Sequence, residues 1–177
     1  PVVRGNHRSI QVNVDSAGLN IVGDAANEPS IAIDPTDPNN IVIGWRQFDS
    51  VASDFRQAGY GFSDDGGRTW TFPGVVDPGV FRSDPVLDAD LDGNVHYYSL
   101  TVTAQNDFTC QLFTTSDGGL NWSSAVPAFG GDKAWMTVDR TETAGAGNIY
   151  AKWQTFFGCW GSSTFIRSTD AGESFEN

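Results

Sequence analysis

Ser63-Asp64-Asp65-Gly66-Gly67-Arg68-Thr69-Trp70 returns twice further along the chain. The second copy is Thr115-Ser116-Asp117-Gly118-Gly119-Leu120-Asn121-Trp122, and the third is Ser168-Thr169-Asp170-Ala171-Gly172-Glu173-Ser174-Phe175. The central aspartate stands at 65, 117 and 170. Such a stretch is a turn-builder: the carboxylate accepts hydrogen bonds from turn amides, and glycine takes a positive φ at no steric cost. The closing aromatic residue packs its ring over the sheet that the turn joins.

Two further markers keep the same phase. Pro29-Ser30-Ile31-Ala32-Ile33-Asp34 matches Pro85-Val86-Leu87-Asp88-Ala89-Asp90 and Ala134-Trp135-Met136-Thr137-Val138-Asp139. Asn40-Ile41-Val42-Ile43-Gly44-Trp45 matches the stretches that open at Asn94 and Asn148. Three markers in one order, at nearly one period, make tandem units. Each unit reads as four short strands: the Pro-Ser-Ile type, the Asn-Ile-Val type, a third such as Tyr60-Gly61-Phe62-Ser63, and a fourth after the Asp-Gly-Gly turn. Four antiparallel strands every ~50 residues is the arithmetic of a β-propeller blade. No stretch carries a helical period, so the expected fold class is all-β.

The Ser-x-Asp-x-Gly-x-Thr-Trp signature resembles the Asp-box, or BNR, repeat of sialidases and many other propellers. The first copy fits letter for letter. The second has Thr115 and Asn121 in place of Ser and Thr, and the third has Ser174 and Phe175 in place of Thr and Trp. The resemblance covers residues 27–177 and implies three blades, about 27–82, 83–131 and 132–177. It also implies that the Asp-box turns lie on the face away from the ligand, so that Asp65, Asp117 and Asp170 belong to no site. Propellers close with 4–8 blades, so this is an incomplete ring, completed by the remaining blades of a longer chain or by a second copy. Residues 1–26 form an extension in which Ser9–Val14 alternates like an edge strand able to close a ring.

The topology implied by the resemblance puts the loops before strand one and after strand two around a central funnel. Glu28, Asp84 and Lys133 precede strand one; Arg46, Gln47 and Gln154 follow strand two; Arg82 and Trp160 lie in adjoining segments. Carboxylates, cations and aromatic rings on one rim suit a sugar, because rings stack on aromatic faces and hydroxyls take polar partners. These eight are the candidate ligand-binding residues. The ligand expected is a glycan or a protein surface, and the segment serves recognition or assembly without catalysis of its own. The alternative is part of a sialidase-like glycoside hydrolase whose catalytic residues lie largely elsewhere. Sialidases use three arginines, a Tyr–Glu pair and an acid/base Asp, with the first arginine in an Arg-Ile-Pro motif. Here the matching stretches read Asn27-Glu28-Pro29 and Ser83-Asp84-Pro85.

Asp88, Asp90 and Asp92, followed by Gly93, resemble the front half of a calcium loop, but position 99, where a bidentate Glu would stand, is Ser. Calcium ligation and a plain hairpin turn both remain open, and no other cofactor is expected. Cys110 and Cys159 fall on neighbouring blades, as a disulfide or as two buried thiols. A pair would favour export, and the expected location is extracellular or periplasmic. With 10 Lys+Arg against 22 Asp+Glu, the net charge of −12 argues against nucleic acid. No apolar run is long enough for a membrane span.

Overall fold

In the computed structural model, residues 1–155 and 160–176 are described. Two short N-terminal strands, β1 (Val2–Arg4) and β2 (His7–Ser9), form a hairpin. Three antiparallel sheets follow, each a meander in chain order. The first comprises β3 (Ala25–Ile33), β4 (Ile41–Phe48), β5 (Arg56–Ser63) and β6 (Thr71–Val75). The second comprises β7 (Ser83–Ala89), β8 (Val95–Val102), β9 (Phe108–Thr115) and β10 (Val126–Pro127). The third comprises β11 (Trp135–Val138), β12 (Ile149–Lys152) and β13 (Phe165–Ser168). Arg167 of β13 makes a further antiparallel bridge to Glu176. The described residues hold no helix, and the sheets pack face to face as successive blades of an unclosed ring.

The repeated aspartates explain why the period holds. Asp65, Asp117 and Asp170 each accept a hydroxyl two residues upstream, from Ser63 (2.8 Å), Thr115 (2.8 Å) and Ser168 (2.6 Å). The same hydroxyl accepts the glycine amide four residues on, at 2.9, 3.0 and 2.8 Å. The far carboxylate oxygen takes Thr69 Oγ1 (2.7 Å), Asn121 Nδ2 (2.8 Å) or Ser174 Oγ (2.5 Å). Different letters therefore make one hydrogen-bond pattern. A second set closes the hairpins between the first two strands of each sheet. Asp34, Asp90 and Asp139 donate their backbone N–H to the carbonyls of Asn40, Asn94 and Asn148.

Strand alternation sends one side of each sheet backward and the other forward. Leu87, Ala89, Val95, Tyr97 and Phe113 of the second sheet meet Ala32, Val42, Ala58 and Tyr60 of the first. Tyr98, Leu100, Cys110 and Leu112 on its other side meet Met136, Val138, Ile149, Ala151 and Ile166 of the third. The first junction is held close by Gly44: a Cβ there would strike Tyr97 and lie 2.7 Å from Leu87. The Tyr97 hydroxyl donates across it to the carbonyls of Trp45 (3.3 Å) and Gly59 (3.2 Å). Trp122 of the second turn stands edge-on to Tyr60 and Tyr97, at 5.4 and 5.9 Å between centroids. Each junction is thus a hydrophobic interior of its own, and the sheets are stable by leaning on one another.

The N-terminal extension departs from expectation. Of Ser9–Val14 only Ser9 lies in a strand, and Val14 makes one bridge with Asn20. The Val14 N–H bonds back to the Val12 carbonyl at 2.9 Å, and the Gln11 side chain bonds Asn13 and Asn20. These local bonds bend the chain out of the extended line that its alternation suggested. Cys110 is buried, and burial pushes its thiol up to about 12. Cys159, and with it the pairing to Cys110, lies outside the described residues.

Candidate functional site

Pro29 and Pro85 carry no N–H for the strand ladder, and the pairing slips where they stand. The register shifts between Asn27 and Ser30 in the first sheet, and between Ser83 and Val86 in the second. The residue before each proline is turned to positive φ, Glu28 to 53° and Asp84 to 47°. Lys133, ahead of β11, does the same at 52° although Ala134 follows it. Positive φ in a residue with a Cβ costs of order 1–3 kcal/mol and tends to gather at functional sites. Three such residues at the same point of three repeats form one wall: Glu28, Asp84 and Lys133, with Pro29, Pro85 and Trp135, line a groove of about 270 Å³ across the three blade starts.

The groove's charges are paired within it. Glu28 Oε1 lies 2.9 Å from Arg46 Nη2, and Arg46 Nε donates to Asn27 Oδ1 at 2.8 Å. Asp84 accepts from Ser83 Oγ (2.8 Å) and from the Lys133 N–H (3.2 Å), with Lys133 Nζ at 4.0 Å. Lys133 is exposed, and Trp135 is 64% exposed. An open indole beside two carboxylates and an ammonium offers an apolar platform and charged hydrogen-bond partners within one cleft.

Four of the eight sequence candidates therefore meet: Glu28, Asp84 and Lys133 directly, and Arg46 through Glu28. The other four do not line the groove. Gln47 is buried; its Oε1 accepts Trp45 Nε1 at 2.7 Å, and its Nε2 bonds Asp24 and the Phe48 carbonyl. Arg82 is 1% exposed between the first two sheets, with Nη2 on Asp77 (2.5 Å) and Gln111 (2.6 Å) and its guanidinium over Phe113. Gln154 is exposed and donates its backbone N–H to the Asp132 carbonyl. Trp160 packs on Phe129, 4.5 Å between centroids, beside a separate pocket of about 190 Å³. Trp135 was missed. It reads as a strand residue, and only the small Ser30 and larger Val86 at its equivalent positions hint that the place varies. Phe156 and Phe157, which follow Gln154 in sequence, lie outside the described residues.

The aspartates of the calcium-like run are drawn apart. Asp88 turns to the third sheet, where Oδ2 accepts the Val138 N–H (2.9 Å) and Thr137 Oγ1 (3.2 Å), and Oδ1 lies 3.1 Å from Arg140. Asp90 points into its own hairpin and accepts the amides of Asp92 (3.0 Å) and Asn94 (2.8 Å). Asp92 is exposed in the turn. Asp88 lies in β7, whereas Asp90 and Asp92 lie in the hairpin beyond its end, so the two-residue period that would align their carboxylates on one face stops at Ala89. Among the described residues no three His, Cys, Asp or Glu gather as metal ligands.

No helix among the described residues is long and apolar enough to cross a membrane. No family model and no curated protein sequence matches the chain. Solved structures do match it in shape. A Hadza microbial sialidase superposes with a TM-score of 0.66 at 16% identity, over 96% of this chain and 36% of that one. A Dyadobacter fermentans protein of unknown function gives 0.58 at 15%, over 87% and 54%. Trypanosoma rangeli sialidase gives 0.54 at 11%, over 86% and 28%. The chain spans little more than a third of the Hadza protein and about half of the Dyadobacter one. At these identities the likeness speaks for shape: the chain has the fold of a sialidase-like β-propeller, and covers part of one.

Proposed function

We propose that this chain is a carbohydrate-recognition segment of an extracellular sialidase-like propeller, and that the groove over Glu28, Asp84 and Lys133 receives the sugar. The supporting observation is the repetition of a strained backbone position at three blade starts around a single cleft beside the open Trp135 indole. A pyranose ring would lie on Trp135, with its hydroxyls toward Asp84 and Lys133. Both carboxylates already face cations, and no arginine is among the groove-lining residues. That arrangement holds a ligand without supplying a sialidase arginine cluster or a free acid/base pair.

The test is a glycan-array screen, with hits titrated by calorimetry against the chain and its Trp135→Ala and Lys133→Ala variants. Binding lost in both variants supports the groove; an empty array, or binding indifferent to both, sinks it. The second reading, part of a glycoside hydrolase, is favoured by the likeness of shape to two sialidases. Release of a fluorophore from aryl sialosides by the isolated chain would support that reading and overturn ours.

A further inference from the structure

Two residues at positive φ bracket one short segment. Phe129 stands at 50° and Lys133 at 52°, and between them the chain crosses the end of the second sheet, from its outer strand β10 to β11 of the third. The segment is held down on the sheet. A Cβ on Gly130 would strike Cys110 and the Tyr98 hydroxyl, and one on Gly131 would lie 2.6 Å from Trp153. The Phe129 carbonyl accepts the Cys110 N–H and Thr109 Oγ1 (3.2 Å), and the Asp132 carbonyl accepts the Gln154 N–H (3.0 Å). At one end of this fixed segment Lys133 lines the groove. At the other end Phe129 lines the pocket of about 190 Å³, together with Trp160, Thr103, Thr109 and Gln111. Strained backbone beside both cavities fits a surface shaped for a ligand.

Among the described residues that line this pocket none is charged, and its polar side chains have bonding capacity left. Thr103 Oγ1 accepts the amides of Gln105 and Asp107, both at 3.2 Å, and keeps its hydrogen to donate. Thr109 Oγ1 gives its hydrogen to the Phe129 carbonyl and keeps lone pairs to accept. Gln111 Oε1 takes Arg82 Nη2, which leaves Nε2 as a donor. Trp160 Nε1 is buried without a hydrogen-bond partner, an unmet donor in the same wall. Two aromatic rings with donors and acceptors but no charge suit a neutral pyranose, which has an apolar face and hydroxyls that both give and accept. Strand register sets the distance to the groove. Ser83, beside Asp84, pairs with Leu100, and Leu100 pairs with Cys110, so two strand spacings put Ser83 and Cys110 about 10 Å apart. One sugar ring does not bridge that distance; a short oligosaccharide does. We infer that the Trp160 pocket is a second sugar subsite, which takes an uncharged unit of an oligosaccharide whose other end lies in the groove. The inference rests on the reading of the groove as a sugar site.

An array printed with neutral glycans, each from monosaccharide to hexasaccharide, tests it. Hits are titrated by calorimetry against the chain and its Trp160→Ala, Phe129→Gly and Lys133→Ala variants, with melting temperatures taken alongside. Oligosaccharides should bind about tenfold tighter than the matching monosaccharide, and Trp160→Ala and Phe129→Gly should each remove that advantage. Phe129→Gly relieves the strained φ, so it keeps its fold even where Trp160→Ala melts early. Equal affinity for monosaccharide and oligosaccharide overturns the inference and leaves the groove standing. So does a length advantage that survives in a folded variant of Trp160 or Phe129. Binding that depends on Trp160 but not on Lys133 refutes the groove, and with it a ligand that spans both sites. An array without hits refutes both.

Discussion

Asp88 on β7 accepts the backbone N–H of Val138 on β11 at 2.9 Å, a bond from one sheet to the next. The same carboxylate holds Thr137 Oγ1 and Arg140, so one side chain gathers three donors of the third sheet. Asp88→Ala should leave a strand amide without its partner and destabilise the chain by about 1–3 kcal/mol. At this size that is roughly 2–4 °C of melting temperature for each kcal/mol. Calcium should leave the melting temperature of the unaltered chain where it is. A calcium-dependent rise abolished by Asp88→Ala would restore these aspartates as metal ligands.

The turn aspartates should set the acid limit of the fold. Hydrogen bonds from Ser168 and Ser174 hold Asp170 down to about 2, and the Thr69 amide and hydroxyl lower Asp65. For Asp117 burial works upward, but the bonds from Asn121 and Thr115 outweigh it. Unfolded carboxyls protonate near 3.8, so the stabilisation is complete above that pH and is lost as pH falls toward 2. Circular dichroism across this window should show acid unfolding, and Asp170→Asn should flatten the decline.

His96 should add a second, milder dependence. It is buried where the second sheet meets the third, with Nδ1 3.0 Å from Thr114 Oγ1 and Nε2 3.5 Å from Asp90 Oδ2. Burial pulls it below its ordinary 6.5, against the upward pull of Asp90 and Asp88. Below pH 6.5 the unfolded chain takes up a proton that the folded one resists, so stability falls as pH drops through that value. Urea midpoints on either side of pH 6.5 should differ for the unaltered chain and converge for His96→Gln.

Gly44→Ala tests how closely the first two sheets approach. The added methyl meets Tyr97 and Leu87, both buried and packed on several sides. Overpacking of this kind costs ~1–3 kcal/mol. An unchanged denaturation midpoint would mean that the junction is looser than the structure has it.

Lys133→Gly separates strain from recognition. At φ 52° the lysine backbone is strained and glycine is not, so the variant should melt at the same temperature or higher. Sugar binding should weaken, because the exposed ammonium beside Asp84 is gone. A variant that is less stable and binds equally well would make Lys133 a structural residue.

Much of this fold is readable in the letters because the repeat is written in turn chemistry. Asp65, Gly67 and Thr69 act within one turn, and local bonds leave local signatures. The groove was legible to the extent that three repeats mark one place, before strand one. The sequence reading failed where the answer lay between sheets. Arg82 looks like a rim residue until the second sheet closes over it, and Gln47 is drawn inward by Trp45 and Asp24. Asp88 reads as part of an acidic loop, yet its partner Val138 is fifty positions away.

The turn wiring has a consequence for ancestry. At its seventh place Thr69, Asn121 and Ser174 all satisfy the same oxygen, so duplicated copies drift freely among any residues that bring a donor there. Selection on such a unit preserves a bonding role while erasing spelling. A contour of this kind can be shared at 16% identity or less, because the turn constrains which atoms must meet more than which residues recur.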